Sequence, residues 1–115
     1  DEKARVLRGL NNGYKNDAKN HTLAMDKNAT ENKRIMAIRT VRNYTAHVHV
    51  DDYLKLIRDE ANPLEVRVVM TEALGWFTQS VKSPYIVSEL KKYQNASLPE
   101  DLRLEIEQTI NRLTC

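Results

Sequence analysis

Two histidines one residue apart, His47 and His49, stand directly ahead of an acidic pair, Asp51 and Asp52. In extended backbone, residues two apart point the same way, so both imidazoles would face one side, and one carboxylate would complete a three-ligand set of the kind zinc accepts. The same stretch is where a turn between two helices is expected, and there polar residues and helix-capping aspartates belong without any metal. That reading is the simpler one, so neither metal nor cofactor is assigned. His21, the third histidine, reads as a surface or edge residue.

Glu31, Glu65, Glu72, Glu89, Glu105 and Glu107 offer many carboxylates, but general acid–base work needs two of them placed across a concave site with shifted pKa values. Their spacing shows no such pair, and solvated helix faces account for them, with Glu31 and Glu65 also near helix N-termini, where negative charge is favourable. No catalytic residue is assigned. Trp76, Tyr85 and Tyr93 stand among Lys82, Lys91 and Lys92, the composition of a base-stacking, phosphate-binding surface. Inter-repeat packing competes for the same aromatics. Trp76 falls about 100° around a helix from Phe77, which makes it the candidate anchor for a partner. Lys33, Arg39 and Arg42 gather positive charge on one helix. Four N-x-Ser/Thr sequons begin at Asn20, Asn28, Asn43 and Asn95, yet Asn and Thr also serve as caps and turn formers.

These groups must be carried by helices. From Thr30 to Tyr44 the apolar residues Ile35, Ala37, Ile38, Val41 and Tyr44 recur at three- and four-residue steps, one face of a helix capped by Thr30. A second helix is expected over about Val50 to Glu60, with Val50, Leu54 and Ile57 inward. Asn62-Pro63 reads as a cap followed by proline at the first helical position of a helix running to about Gln79. Ser83-Pro84 repeats that device for a helix to about Gln94, with Ile86, Leu90 and Tyr93 inward. The last helix starts near Ser97 or Leu98, with Pro99 in its first turn, and runs to about Leu113. Ahead of these, Glu2 to Asn12 predicts an opening helix, and Lys15 to Lys27 is either a frayed capping helix or part loop.

A spacing recurs through this series. Asp26 precedes Arg34 by eight residues, Asp59 precedes Arg67 by eight, and Asn95 precedes Arg103 by eight. After each arginine the same apolar steps follow, at plus one (Ile35, Val68, Leu104), plus three (Ala37, Met70, Ile106), plus seven (Val41, Leu74, Ile110) and plus ten (Tyr44, Phe77, Leu113). The arginines lie 33 and 36 residues apart, a period that marks stacked repeats whose units cannot bury their apolar faces alone. The run Asp59-Glu-Ala-Asn-Pro-Leu-Glu-Val-Arg67, continued to Ala73-Leu74-Gly75, resembles HEAT repeats, most closely the short class first noted in phycobilisome lyases. The resemblance covers about residues 20–113. It implies that Asp26, Arg34, Asp59, Arg67 and Arg103 form a structural ladder between successive repeats, in which Asn95 keeps the acceptor and loses the charge.

The expected fold is therefore all-α: an α-α superhelix of about six or seven helices in antiparallel pairs, residues 1–115 forming one HEAT-like domain. A chain of 115 residues, 30% charged and 41% apolar, can hold one real core. No apolar run approaches the ~20 residues a spanning helix needs, and the stretch around Val66 to Met70 is interrupted by Arg67. The chain begins at Asp1 and reads as a fragment of something longer. Net charge is +2, which neither requires nor excludes nucleic acid. The single cysteine, Cys115, allows no disulfide framework. The expected function is non-enzymatic, a scaffold or accessory module for another protein or a neighbouring domain. Nucleic-acid binding through a basic helical face is the second expectation, and a lyase-like activity or chromophore chaperoning, implied by the family label alone, the last.

Overall fold

The computed structural model describes residues 19–42 and 47–114. The expected opening helix, Tyr44, the Asn43 sequon and Cys115 lie outside the described residues. Six helices and no strand occur among those described: α1 (residues 19–25), α2 (Glu31–Arg39), α3 (Val50–Arg58), α4 (Leu64–Leu74), α5 (Ser83–Tyr93) and α6 (Glu100–Thr114). A 3-10 turn, Thr40–Arg42, extends α2, and another, His47–His49, leads into α3. Within the stretch expected to be frayed helix or part loop, residues 19–25 are helical, with Ala24 fully buried, and Asp26 and Lys27 already belong to the turn that follows.

The helices alternate between two layers. In one, α2 packs on α4 and α4 on α6; in the other, α3 packs on α5; and α3 with α4, and α5 with α6, pair between the layers. The result is an elongated slab of 55 × 35 × 17 Å. Its core is continuous, running from Ala24 and Ile38 through Leu54, Met70 and Leu74 to Ile106 and Ile110.

Sequence dictates which side each helix turns inward. In α3, Val50, Tyr53, Leu54 and Ile57 are buried at three- and four-residue steps, leaving Asp51, Lys55 and Arg58 exposed. In α6 the same rule buries Leu102, Ile106, Thr109 and Ile110. The central helix α4 touches α2, α3 and α6, so it buries Val66, Arg67, Val69, Met70, Thr71, Ala73 and Leu74 on several sides. Each fully buried Leu or Met contributes about 1.5–3 kcal/mol. Ile35 and Val68 at the plus-one repeat step are only half-buried, and Leu104 is exposed, because that position sits at the edge of the stripe.

Several expected boundaries change: the last helix begins at Glu100 rather than near Ser97 or Leu98, leaving Pro99 just ahead of it instead of in its first turn. Helix α4 stops at Leu74 rather than near Gln79, since Gly75, Trp76 and Phe77 close 3-10 type bonds to Glu72, Ala73 and Leu74 carbonyls. Asn62 is not the cap of α4. Pro63 takes that position, while the buried Asn62 side chain bonds elsewhere. Ser83 lies inside α5 and Lys82 is its N-cap. Thr30 does cap α2, its Oγ1 accepting from the Lys33 amide at 3.3 Å.

Candidate functional site

Arg34 and Arg67 are buried, and each binds a carbonyl ten residues behind it. Arg34 Nε donates to the Ala24 carbonyl at 3.0 Å, and Arg67 Nε to the Ile57 carbonyl at 2.8 Å. These are carbonyls of the last turns of α1 and α3, which have no intrahelical donor left. Each arginine then reaches forward into the next pair. Arg34 Nη2 donates to Asn62 Oδ1 at 2.9 Å, while Asn62 Nδ2 donates to the Leu56 carbonyl at 3.0 Å. Arg67 Nη2 donates to the Tyr93 hydroxyl at 2.7 Å. Burial pulls the Arg34 guanidinium below the usual arginine range, and the nearby charges of Asp26 and Asp59 oppose that shift.

The eight-residue partners of the arginines do a different job. Asp26 Oδ1 accepts from the Asn28 amide, Asp59 Oδ1 from the Ala61 amide and Asn95 Oδ1 from the Ser97 amide, at 2.9, 2.9 and 2.8 Å. All three close an Asx turn that reverses the chain between paired helices. An acceptor oxygen suffices for this, so asparagine can replace aspartate. The guanidinium contacts run to carbonyls, Asn62 and Tyr93, and the aspartates reach the arginines only through their field. Asp59 additionally pairs with Lys27, tying the first junction to the second. Hydrogen bonding from Lys27 and from the Ala61 amide holds the Asp59 carboxyl below its usual range. At the third rung Asn95 Nδ2 donates to the Tyr93 carbonyl at 3.2 Å, taking the carbonyl that the repeat frame assigns to Arg103.

The histidines assemble differently from the sequence pattern. His47 is exposed on its 3-10 turn, whereas His49 stacks on His21 with ring centroids 3.9 Å apart and planes 11° from parallel. His21 Nε2 lies 2.9 Å from Asp52 Oδ2. Tyr53 flanks both imidazoles at 5.9 Å. One ring nitrogen from each histidine and an Asp52 oxygen fall within 4.8 Å of one another, with all three residues half-buried. His21 occupies the repeat position held by the buried Leu54 and Leu90, and that apolar frame concealed its part in the cluster. Asp51 turns the other way and accepts from the Tyr85 hydroxyl at 2.6 Å, which raises the Tyr85 pKa.

Comparison with protein-family models, with curated proteins and with solved structures returns no match.

Trp76 is 50% exposed at the end of α4. Val81, 82% exposed, and Tyr85, 38% exposed, follow on the α4–α5 connection and the start of α5, and Lys82 Nζ stands 5.1 Å from the Tyr85 ring centroid. Tyr93 is instead drawn inward by Arg67, Lys91 is exposed, and the exposed Lys92 pairs with Glu89 at 3.4 Å. On α2, Lys33 and Met36 line an open groove of about 520 Å³ with Lys19 and Leu23. Arg39 is exposed but stands about 120° around the helix from Lys33. The Arg42 backbone is in the 3-10 turn, and its side chain lies outside the described residues.

The carboxylates are not uniformly solvated. Glu31, Glu65 and Glu107 are exposed, but Glu89 is half-buried and accepts from Arg58 Nη2 at 2.9 Å. Glu105 has one oxygen buried without a hydrogen-bond partner. Burial, and then the negative charge of Glu72, push its pKa up, opposed by Arg112. The two glutamates come from α4 and α6, 33 residues apart, a pairing that needs the stack itself to be visible.

Proposed function

We propose that the chain is a HEAT-like α-α superhelix acting as a non-enzymatic scaffold or accessory module, and that it binds another protein or a neighbouring domain. Support for the architecture comes from the two-layer alternation of helices and from the arginines that recur at repeat spacing and bond across successive pairs. The observation that carries the functional reading is the exposure of Trp76, with Val81 and Tyr85 close by in sequence. Large aromatic side chains lose little entropy on binding and dominate interface energies, so a half-exposed tryptophan supports a partner-binding role. No helix among the described residues is long and apolar enough to cross a membrane.

Nucleic-acid binding is the second reading, and it needs a contiguous basic stripe. Lys33 and Arg39, well separated around α2, support it less than the aromatic exposure supports a protein partner. The test is affinity capture with the folded chain from its source lysate at low and high salt. Salt-resistant recovery of one protein, lost on Trp76→Ala, is expected. Salt-labile recovery of nucleic acid, lost on Arg39→Ala with Arg42→Ala, would overturn the protein-binding reading.

A further inference from the structure

We propose that His21, His49 and Asp52 bind a divalent transition-metal ion of the zinc class, which clasps α1 to the start of α3. The proposal stands on a juxtaposition that the sequence hides: His21 lies 28 residues from His49 and 31 from Asp52, yet their ligand atoms share a sphere in which no pair is more than 4.8 Å apart. In a tetrahedral site with metal–ligand distances of about 2.0–2.2 Å, ligand atoms stand roughly 3.3–3.5 Å from one another. The His21–Asp52 separation of 2.9 Å is slightly shorter than that and the upper limit of 4.8 Å somewhat greater; because the rings are stacked 11° from parallel, binding swings one imidazole out of the stack so that both in-plane lone pairs meet the ion.

The donor types narrow the ion. Two neutral imidazoles and a carboxylate suit Zn²⁺, Co²⁺, Ni²⁺ or Cu²⁺, whereas Mg²⁺ and Ca²⁺ take oxygen ligands. Three protein ligands leave a fourth position for water. Tyr53, itself buried, flanks both rings at 5.9 Å and supplies an apolar wall to the site. Asp51 faces away from the site, bonded to the Tyr85 hydroxyl, so Asp52 is the carboxylate that completes the set. His47 takes no part, being exposed on the preceding turn.

Because the ligands come from α1, the 3-10 turn ahead of α3 and the first turn of α3, metal binding would stabilise the folded chain by mass action. The proposal is independent of the partner-binding reading. The test uses the purified full chain, stripped with chelator and titrated with Zn²⁺ while thermal unfolding is followed, and with Co²⁺ while visible d–d absorption is followed. At 100-fold excess over the dissociation constant, a Tm rise of roughly 10 °C is expected, given the mass-action stabilisation and the sensitivity of a domain this size. His21→Gln, His49→Gln and Asp52→Asn should each abolish both the rise and the tetrahedral Co²⁺ spectrum, and His47→Gln should abolish neither. Far-UV circular dichroism checks that each variant is folded, and Asp52→Asn, the mildest change, carries the test if a histidine variant is not. The proposal is overturned by a flat Tm with no Co²⁺ spectrum. It is equally overturned if binding survives Asp52→Asn and is lost on His47→Gln, which would mark an adventitious surface chelate of His47 and His49.

Discussion

The guanidinium of Arg67 donates to the hydroxyl of Tyr93 across the joint between the second and third helix pairs, at 2.7 Å. Tyr93 thereby leaves the purely apolar role its repeat position suggests. Tyr93→Phe keeps the ring and removes the acceptor, so it should cost about 1 kcal/mol. Urea unfolding of the two proteins checks this, and an unchanged midpoint would show that water replaces the bond without loss.

Leu74 and Leu104 make a matched pair for the helical register. Leu74 is fully buried at a core repeat position and Leu104 is exposed at the plus-one position. Leu74→Ala should cost about 2–5 kcal/mol, and Leu104→Ala within about 0.5 kcal/mol. Equal effects in thermal unfolding would contradict the inward faces described for α4 and α6.

Asp59 ties stability to acid pH. Its folded pKa is depressed, first by the Lys27 hydrogen bond, so the unfolded chain takes up the proton first as pH falls. The stabilisation is fully present above about pH 4, the unfolded value, and is lost as pH falls through the folded pKa. Asp59→Asn retains an acceptor for the Ala61 amide and removes the charge. The stability gap between wild type and Asp59→Asn should be constant from pH 7 to about pH 5 and close below pH 4, as measured by chemical denaturation across that range.

Glu105 has the opposite sign. Burial raises its folded pKa, so the folded state holds the proton more tightly, and its contribution is fully present below the unfolded pKa of about 4.3 and lost as pH rises through the folded one. Glu105→Gln should therefore be more stable than wild type at pH 7 and equal to it near pH 3.5. A variant less stable at pH 7 would mean that the carboxylate gains more from Arg112 than it loses to burial and Glu72.

Much of the fold was legible because it rests on periodicity. The burial of Ala37, Ile38 and Val41, of Val50, Leu54 and Ile57 in α3 and of Ile86 and Leu90 in α5, the Thr30 cap and the positions of Met70 and Ile106 follow from three- and four-residue steps and from a spacing near 33 residues. The caps expected at Asn62 and Ser83 differ from those observed because cap propensity is local, and Asn62 is claimed by Arg34 from the preceding helix pair. The arginine contacts were legible as a recurrence but not as geometry. Spacing gives an aspartate eight residues before an arginine, and only the stack reveals that the arginine seeks the Ala24 or Ile57 carbonyl while the aspartate closes its own turn. The cluster of His21, His49 and Asp52 was half visible. His49 and Asp52 are neighbours in sequence, whereas His21 arrives through packing of α1, at a position the repeat frame marks as apolar.

The central claim is that buried arginines pin each helix pair to the next, and thermal unfolding of Arg67→Ala beside Arg103→Ala tests it most directly. Arg67 is buried with two side-chain hydrogen bonds, and its loss leaves the Ile57 carbonyl unsatisfied, at about 2–3 kcal/mol, a fall in Tm of roughly 10 °C. Arg103 occupies the same repeat position but is half-buried, with the Tyr93 carbonyl already served by Asn95, so its loss should shift Tm by no more than about 2–3 °C. A large drop for Arg67→Ala with a small one for Arg103→Ala is the predicted result; equal drops, or none in either, would contradict the account.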